Sequence, residues 1–451
     1  MRHLEEIQLR ERYLPKVGEF SIVVPKNIMH KLDRYVPKRD LTSIHKDVDT
    51  AKDLIMIFAK NFTNTYVRSL NTNDPENISG FKSISYEFQR EVFMSMGLGF
   101  KNSPHPRIIK LLKKHGIIEK GSEYVVGVKS RQYRLTSAHR NRGLERYKLR
   151  SERVGTAEYK RVSERFNMML DSPIAKNSLI TMLDLEFPTD EETILELNKH
   201  VENGYRNKNG KRLVWVGNNS GIYPREEFVY AEDHLKILQV YRDIFRMPVM
   251  ASKVGGYRVY DRYNMLPKTV RGLVRLGGRR VIESDYDCFH PNLSQTLYSS
   301  NPKAVTHRMV AEFLTEGFSE LSEKKQLEAI QKCKMAHLSF FNLPVDQMKF
   351  SIVYPYYEKN DLEFLRRIED EKMFSEVYGD EKEDLGYRIT SQKLFGLEVE
   401  VLGEVIKRLN EEGIRVLYIF DSIAVNEKDT KRAVEVMEEV AKEFNINTTV
   451  S

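Results

Sequence analysis

Two aspartates stand out by their settings. Asp421 lies in Ile-Arg-Val-Leu-Tyr-Ile-Phe-Asp-Ser-Ile-Ala-Val, between two apolar strand-like runs, and Asp285 closes Arg-Val-Ile-Glu-Ser-Asp ahead of Tyr-Asp-Cys-Phe-His-Pro-Asn-Leu. Each would end a buried β-run, where a side chain projects into a crevice instead of lying on a helix face. Strands that deliver one aspartate apiece to a common rim are how phosphoryl-transfer enzymes hold a pair of magnesium ions. Glu283, Asp287 and His290 lie close by in sequence and could share that work. Lys334 is the cationic candidate. Residues 322–342 read as a helix with Leu327, Ile330, Leu338 and Phe341 on its apolar face and Lys334 on the same side. A lysine on such a stripe is costly unless it snorkels or meets an anion, and a nucleoside triphosphate would be that anion. Lys332 is the alternative phosphate ligand.

The surrounding elements would have to position these groups. Gly277-Gly278 turns the chain into a strand at 280–284, and Pro291 suits the first turn of the helix that follows, where its missing N–H costs nothing. Leu394, Leu397, Val401, Leu402, Val405, Ile406 and Leu409 make an amphipathic helix over 392–409, stopped by Gly413. A hairpin with Asp421 at its tip and a last helix over 429–444 complete a two-layer α+β palm. Upstream, Arg258, Arg262, Lys268 and Arg271 recur at short intervals with tyrosines among them, a pattern suited to a nucleic-acid backbone or to nucleotide phosphates; structural ion pairs are the plainer reading.

The preceding chain divides by pattern into 1–75, an N-terminal helical region with an amphipathic stretch at 47–67; 76–136; a basic, mainly helical region over 137–250; and the palm with its fingers over 251–451. Within 76–136, two helices, the second ending at Gly116, precede short strands at 117–119 and 133–135. This order resembles a winged helix, in which Lys110, Lys113, Lys114, Lys129 and Arg131 would touch DNA phosphates. A small structural helix-hairpin is the other reading. From 129 to 165 basic residues outnumber acids, and Arg146, Lys148 and Arg150 would contribute to a phosphate-binding surface. A solvated helix with i,i+4 ion pairs also fits. Asp184 and Glu186 resemble the Asp-x-Glu of a proofreading exonuclease, but no further set of acids accompanies them, and Asp190, Glu191 and Glu192 suit the first turn of the next helix.

The 451 residues allow two to four domains, and 72 Lys and Arg against 65 Asp and Glu leave a net charge of +7, which favours an acidic polymer as partner. Two separated cysteines, Cys288 and Cys333, make neither a disulfide framework nor a zinc cluster. No apolar run approaches a membrane span, so a cytoplasmic protein without a membrane partner is expected.

The last two hundred residues or so resemble the polymerase core shared by family A DNA polymerases and single-subunit phage RNA polymerases, and most of all its short versions in phages and mobile elements. Asp285-Tyr286 through His290-Pro291 is similar to motif A, Phe420-Asp421-Ser422 to motif C, and Lys334 with Leu338 and Asn342 to motif B. Residues 256–267, including Arg258, are similar to an upstream arginine segment, and Glu398 falls where relatives also carry a glutamate. Phe420 stands where histidine is usual, Leu338 and Asn342 where aromatics are usual, and Ile330 where arginine is usual. The resemblance implies a right-hand palm with helical fingers and a thumb-like region, which the winged-helix-like module read from the pattern of 76–136 would precede. It also implies a template-dependent nucleotidyltransferase that uses a DNA template, a primer and nucleoside triphosphates. Asp285 and Asp421 would hold two magnesium ions, with manganese able to substitute, and the carbonyl of Tyr286 would add a ligand. Lys334, His290, Arg258 and Lys332 would contact the nucleotide. His290, at the place where a side chain crowds the ribose 2′ position, favours deoxynucleotides and so a DNA polymerase. A primase or single-subunit RNA polymerase is one alternative, and a non-catalytic DNA-binding replication initiator is another. In a phage-encoded protein the compartment would be the host cytoplasm.

Overall fold

The computed structural model describes residues 2–14, 16, 19–70, 80–98, 103–121, 131–140, 142–207, 209–217, 222–245, 247–375 and 386–451. They form an α+β architecture in which helices accompany one five-stranded sheet and four smaller ones. Two compact units emerge. The first comprises Met1–Met169, Phe187–Met247 and Met265–Val274, and the second Leu170–Glu186, Pro248–Asn264 and Arg275–Ser451. These units cut across the boundaries expected at 75, 136 and 250.

The first unit shows why. Strand Ser21–Pro25 pairs antiparallel with Leu144–Lys148, so the beginning of the chain and the basic stretch share one sheet. The basic stretch is therefore not a continuous helix. Leu144 and Tyr147 are buried while Arg146 and Lys148 face solvent; along 146–148 exposed and buried residues alternate, as on a half-buried strand. Helix Glu152–Leu170 begins only afterwards. At the centre of this core, helix Val48–Ala59 buries Leu54, Ile55, Met56, Ile57 and Phe58 in succession, so its C-terminal half is enclosed on all sides instead of presenting one apolar face. Its buried Asp53 accepts hydrogen bonds from Tyr147 Oη (2.7 Å) and from the amides of Arg150 (2.9 Å) and Ser151 (2.7 Å). That network ties the helix to the end of the strand. Between 82 and 135 the chain forms helices Tyr86–Ser95 and His105–Lys114 and a three-stranded sheet in the order Lys82–Ser83, Gln132–Leu135, Ile118–Lys120. Lys129 lies outside the described residues. Asp190, Glu191 and Glu192 occupy the first turn of helix Asp190–Glu202, where Thr189 and Glu192 form a reciprocal cap.

The second unit is built on the five-stranded sheet, ordered Leu417–Ile419, Ser422–Asn426, Arg279–Asp285, Arg275–Leu276, Leu185–Glu186, with every pairing antiparallel. Helix Thr430–Glu443, with Ala433, Val436, Met437 and Val440 buried, packs on strands Arg279–Asp285 and Ser422–Asn426, and helix Ile389–Glu411, with Leu394, Val401, Leu402, Val405, Ile406 and Leu409 buried, packs against helix Thr430–Glu443. Helix Glu323–Phe340 departs from its expected face. Cys333, His337 and Phe340 are the buried positions, whereas Leu327 and Leu338 are exposed. Lys334 thus lies on the open side and interrupts no apolar stripe. Among the described residues no helix is long and apolar enough to cross a membrane.

Candidate active site

The register of the sheet brings the two aspartates together. Along strands Arg279–Asp285 and Ser422–Asn426, Val281 faces Asn426, Ile282 faces Val425, and Asp285 faces Ser422. Ile419 and Ser422 also pair, which leaves Phe420 and Asp421 as a two-residue turn. Asp421 therefore stands directly before the residue opposite Asp285, and the amide of Tyr286 donates to its carbonyl at 3.4 Å. Such turns require positive φ. Phe420 adopts φ 56°, a conformation that costs a bulky residue about 1–3 kcal/mol. Its ring lies edge-on to Tyr260 (5.6 Å) and Tyr418 (5.9 Å), with the Arg258 guanidinium 5.4 Å from its centroid. Those contacts hold the strained turn that presents Asp421.

Both acids reach solvent, but protein crowds their carboxylates and strips part of their water. Burial, reinforced by the charge of Asp421, pushes Asp285 up to about 7, against the opposing charge of Lys334. Burial, followed by the charge of Glu398, raises Asp421, opposed by His290 and Arg258. Two like charges at one rim, flanked by the Lys334 cation, make an electrostatically incomplete site. Lys334 projects from the exposed side of helix Glu323–Phe340, and its charge also acts on Cys288 and His307. Lys332, two positions earlier and about 200° around the helix, points elsewhere.

Below the hairpin lies a buried ionic cluster. Glu398 is fully buried and accepts from Arg258 Nε at 2.7 Å and from His290 Nε2 at 2.7 Å; Arg258 Nη2 closes a second bond to the same carboxylate. Burial pushes Glu398 up, but the bond and charge of His290 and those of Arg258 outweigh it and hold the carboxyl below its usual range. The guanidinium of Arg258 also lies 3.8 Å from the Phe395 ring centroid. Arg258 is consequently not the free phosphate ligand expected. It supports His290 and the Phe420 turn. Gly256 makes this approach feasible: at φ 65°, a Cβ there would lie 2.3 Å from that of Phe395.

The remaining candidates separate clearly. Tyr286 is a core side chain whose hydroxyl donates to the Met437 carbonyl at 2.7 Å and whose ring stacks on Phe289 at 4.4 Å, so only its backbone is left to act as a ligand. Arg262 is half-buried and donates to the Met182 carbonyl at 2.6 Å, a bracing contact within the second unit. Lys113, Lys114, Arg131, Arg146, Lys148, Arg150, Lys268 and Arg271 all belong to the first unit. Lys113, Lys148, Arg131 and Lys268 are exposed. Lys114 pairs with Asp40 (2.8 Å), Arg150 with Asp49 (3.2 Å), and Arg146 donates to the Ile244 carbonyl (2.6 Å).

Sequence reasoning missed a partly buried chain of hydrogen-bonding groups whose His307 feels the charge of Lys334. The Nδ1 atoms of His307 and His337 are 3.1 Å apart, and His337 Nε2 is 3.0 Å from Tyr357 Oη. Burial lowers His307 to about 4 and His337 to about 3, so both are neutral near pH 7. The spacing of Cys333, His337 and Phe340 was the available signal.

No family model and no curated protein matches the chain. Among solved structures it is similar to the POL domain of Pol1 from M. smegmatis in complex with DNA primer-template and dNTP. The identity is 9% and the TM-score 0.38, over 87% of this chain and 80% of that one. The functional reading rests on the residues of the site.

Proposed function

We propose that this chain is a template-dependent nucleotidyltransferase, of the DNA polymerase kind, that extends a primer by in-line attack of its 3′-hydroxyl on the α-phosphate of a nucleoside triphosphate. The observation that supports this reading is the placement of Asp285 and Asp421 at adjacent strand ends, each raised by its surroundings, with the charge of Lys334 acting on Asp285. Among the described residues no group of three or more His, Cys, Asp or Glu side chains is placed to hold a metal. Magnesium fits such a sparse donor set, because it is usually held by one or two carboxylates together with substrate phosphates and water. Asp285 and Asp421 would hold two such ions, with the Tyr286 carbonyl as a further ligand. The chemistry supplied there is a lowered hydroxyl pKa and neutralisation of the leaving pyrophosphate.

The chain's own groups do the rest. Lys334 neutralises triphosphate charge as it develops on the leaving group. His290, held by Glu398, presents a bulky imidazole toward the sugar and favours deoxynucleotides. Lys113, Arg131, Lys148 and Lys268 supply exposed positive charge for the nucleic-acid backbone. The test is extension of a primed DNA template with magnesium, with dNTPs and NTPs offered separately to the wild type and to Asp421→Asn. Incorporation of dNTPs by the wild type and its loss in Asp421→Asn, with DNA binding retained, is expected. Extension with NTPs alone would assign the chain to RNA synthesis, and binding without extension of either kind would leave a DNA-binding initiator.

A further inference from the structure

Asp285 owes its position to a segment far away in sequence. In an antiparallel strand the N–H and C=O of one residue point to the same side. Those of Asp285 point away from Ser422: its amide donates to the Ser451 carbonyl at 2.9 Å and its carbonyl accepts from the Ser451 amide at 3.0 Å. Two residues on, the Asp287 amide donates to the Thr449 carbonyl at 2.9 Å, and Tyr286 bridges Val450 between them. Residues 449–451 therefore run as an added strand beside 285–287, on the edge not occupied by the hairpin that carries Asp421.

The side chain of Asp287 locks this strand. Its Oδ2 accepts from Thr449 Oγ1 at 2.7 Å, its Oδ1 accepts from Ser451 Oγ at 3.1 Å, and its carbonyl accepts from Thr448 Oγ1 at 2.7 Å. Each carboxylate oxygen thus has a hydroxyl partner within the chain. Asn447 Nδ2 to the Pro302 carbonyl (3.0 Å) and Thr296 Oγ1 to the Asn445 carbonyl (3.1 Å) anchor the approach to the segment.

We propose that Asp287 is a positioning residue, not a metal ligand: it clamps residues 448–451 against the strand end and so fixes the backbone that aims the Asp285 carboxylate. This inference rests on the reading of Asp285 as a ligand of the nucleotidyl-transfer site. Ligand groups held a few tenths of an ångström out of place lose much of their effect, whereas nucleotide affinity depends on other contacts.

The experiment combines single-turnover primer extension with amide hydrogen exchange on four proteins: wild type, Asp287→Ala, Asp287→Asn and the pair Thr449→Val with Ser451→Ala. Asp287→Ala and the Thr449/Ser451 pair should reduce kcat by about tenfold or more, leave the nucleotide KM within about twofold, and speed exchange at 285–287. Asp287→Asn, whose amide can still bond both hydroxyls, should stay within about threefold of wild type. An Asn variant as inactive as the Ala variant, with exchange unchanged, would make Asp287 a ligand and overturn the proposal. Wild-type kcat and exchange in the Thr449/Ser451 pair would overturn it equally. If the wild type extends no primer, the polymerase reading fails separately, and exchange at 285–287 in Asp287→Ala still decides whether the clamp exists.

Discussion

Asp285 and Ser422 are cross-strand partners, and this single pairing fixes the site, because Asp421 precedes Ser422 at the tip of a two-residue turn. Neither acid would be exceptional alone. Brought to one rim, they repel each other and leave a deficit of positive charge that Lys334 offsets only in part.

Metal binding should depend on pH with a definite sign. Asp285 is raised to about 7, so below that value a proton competes with the cation for the pair, and binding releases it. The magnesium concentration giving half-maximal primer extension should fall as pH rises from 6 to 8. Equal half-saturation at both ends of that range would mean that the carboxylates do not titrate there.

Glu398 and Arg258 should be coupled. Removing one partner of a buried ion pair strands the other charge and costs about 3–5 kcal/mol, whereas replacing both by apolar groups often costs little. Glu398→Leu should therefore lower the urea midpoint strongly, and Arg258→Met with Glu398→Leu should recover much of the loss. Additive losses in the double variant would show that the pair does not act as a unit.

Acid should unfold the protein through its buried imidazoles. His307, His337, His105 and His234 have folded pKa values of about 4, 3, 4 and 4, all lowered first by burial from an ordinary 6.5. The unfolded chain then binds more protons than the folded one below pH 6.5. Stability should be complete above that pH and fall below it by about 1.4 kcal/mol per pH unit for each group, until its folded pKa is reached. Urea midpoints measured from pH 7 to 5 check this, and His337→Gln should flatten the slope.

The basic strand should carry part of the salt dependence of DNA binding. Changing Arg146, Lys148 and Arg150 together to glutamine should weaken binding and reduce the log–log salt slope by about 0.9 for each phosphate that is no longer neutralised. An unchanged slope would assign these residues to their bonds within the chain, with Ile244 and Asp49.

What was legible in the sequence was local. The helix expected over 392–409 occupies Ile389–Glu411, the last helix expected over 429–444 occupies Thr430–Glu443, and the hairpin around Asp421 lies where its apolar runs end, because periodicity and a stop such as Gly413 (φ 78°) act over a few residues. What escaped was set by distant partners. The pairing of Ser21–Pro25 with Leu144–Lys148, the bond between Arg258 and Glu398 and the strand of residues 449–451 beside Asp285 each join segments more than a hundred residues apart. The buried face of helix Glu323–Phe340 was misjudged for a chemical reason: His337 is a core residue there through its bonds to His307 and Tyr357, and a histidine does not register as apolar.

The central claim is that Asp285 and Asp421 together hold divalent cations, and the most direct measurement is manganese binding followed by electron paramagnetic resonance on wild type, Asp285→Asn and Asp421→Asn. Wild type should bind manganese, with magnesium competing, and each single variant should lose that binding while keeping the wild-type fold by circular dichroism. Wild-type manganese binding in both variants would contradict the account.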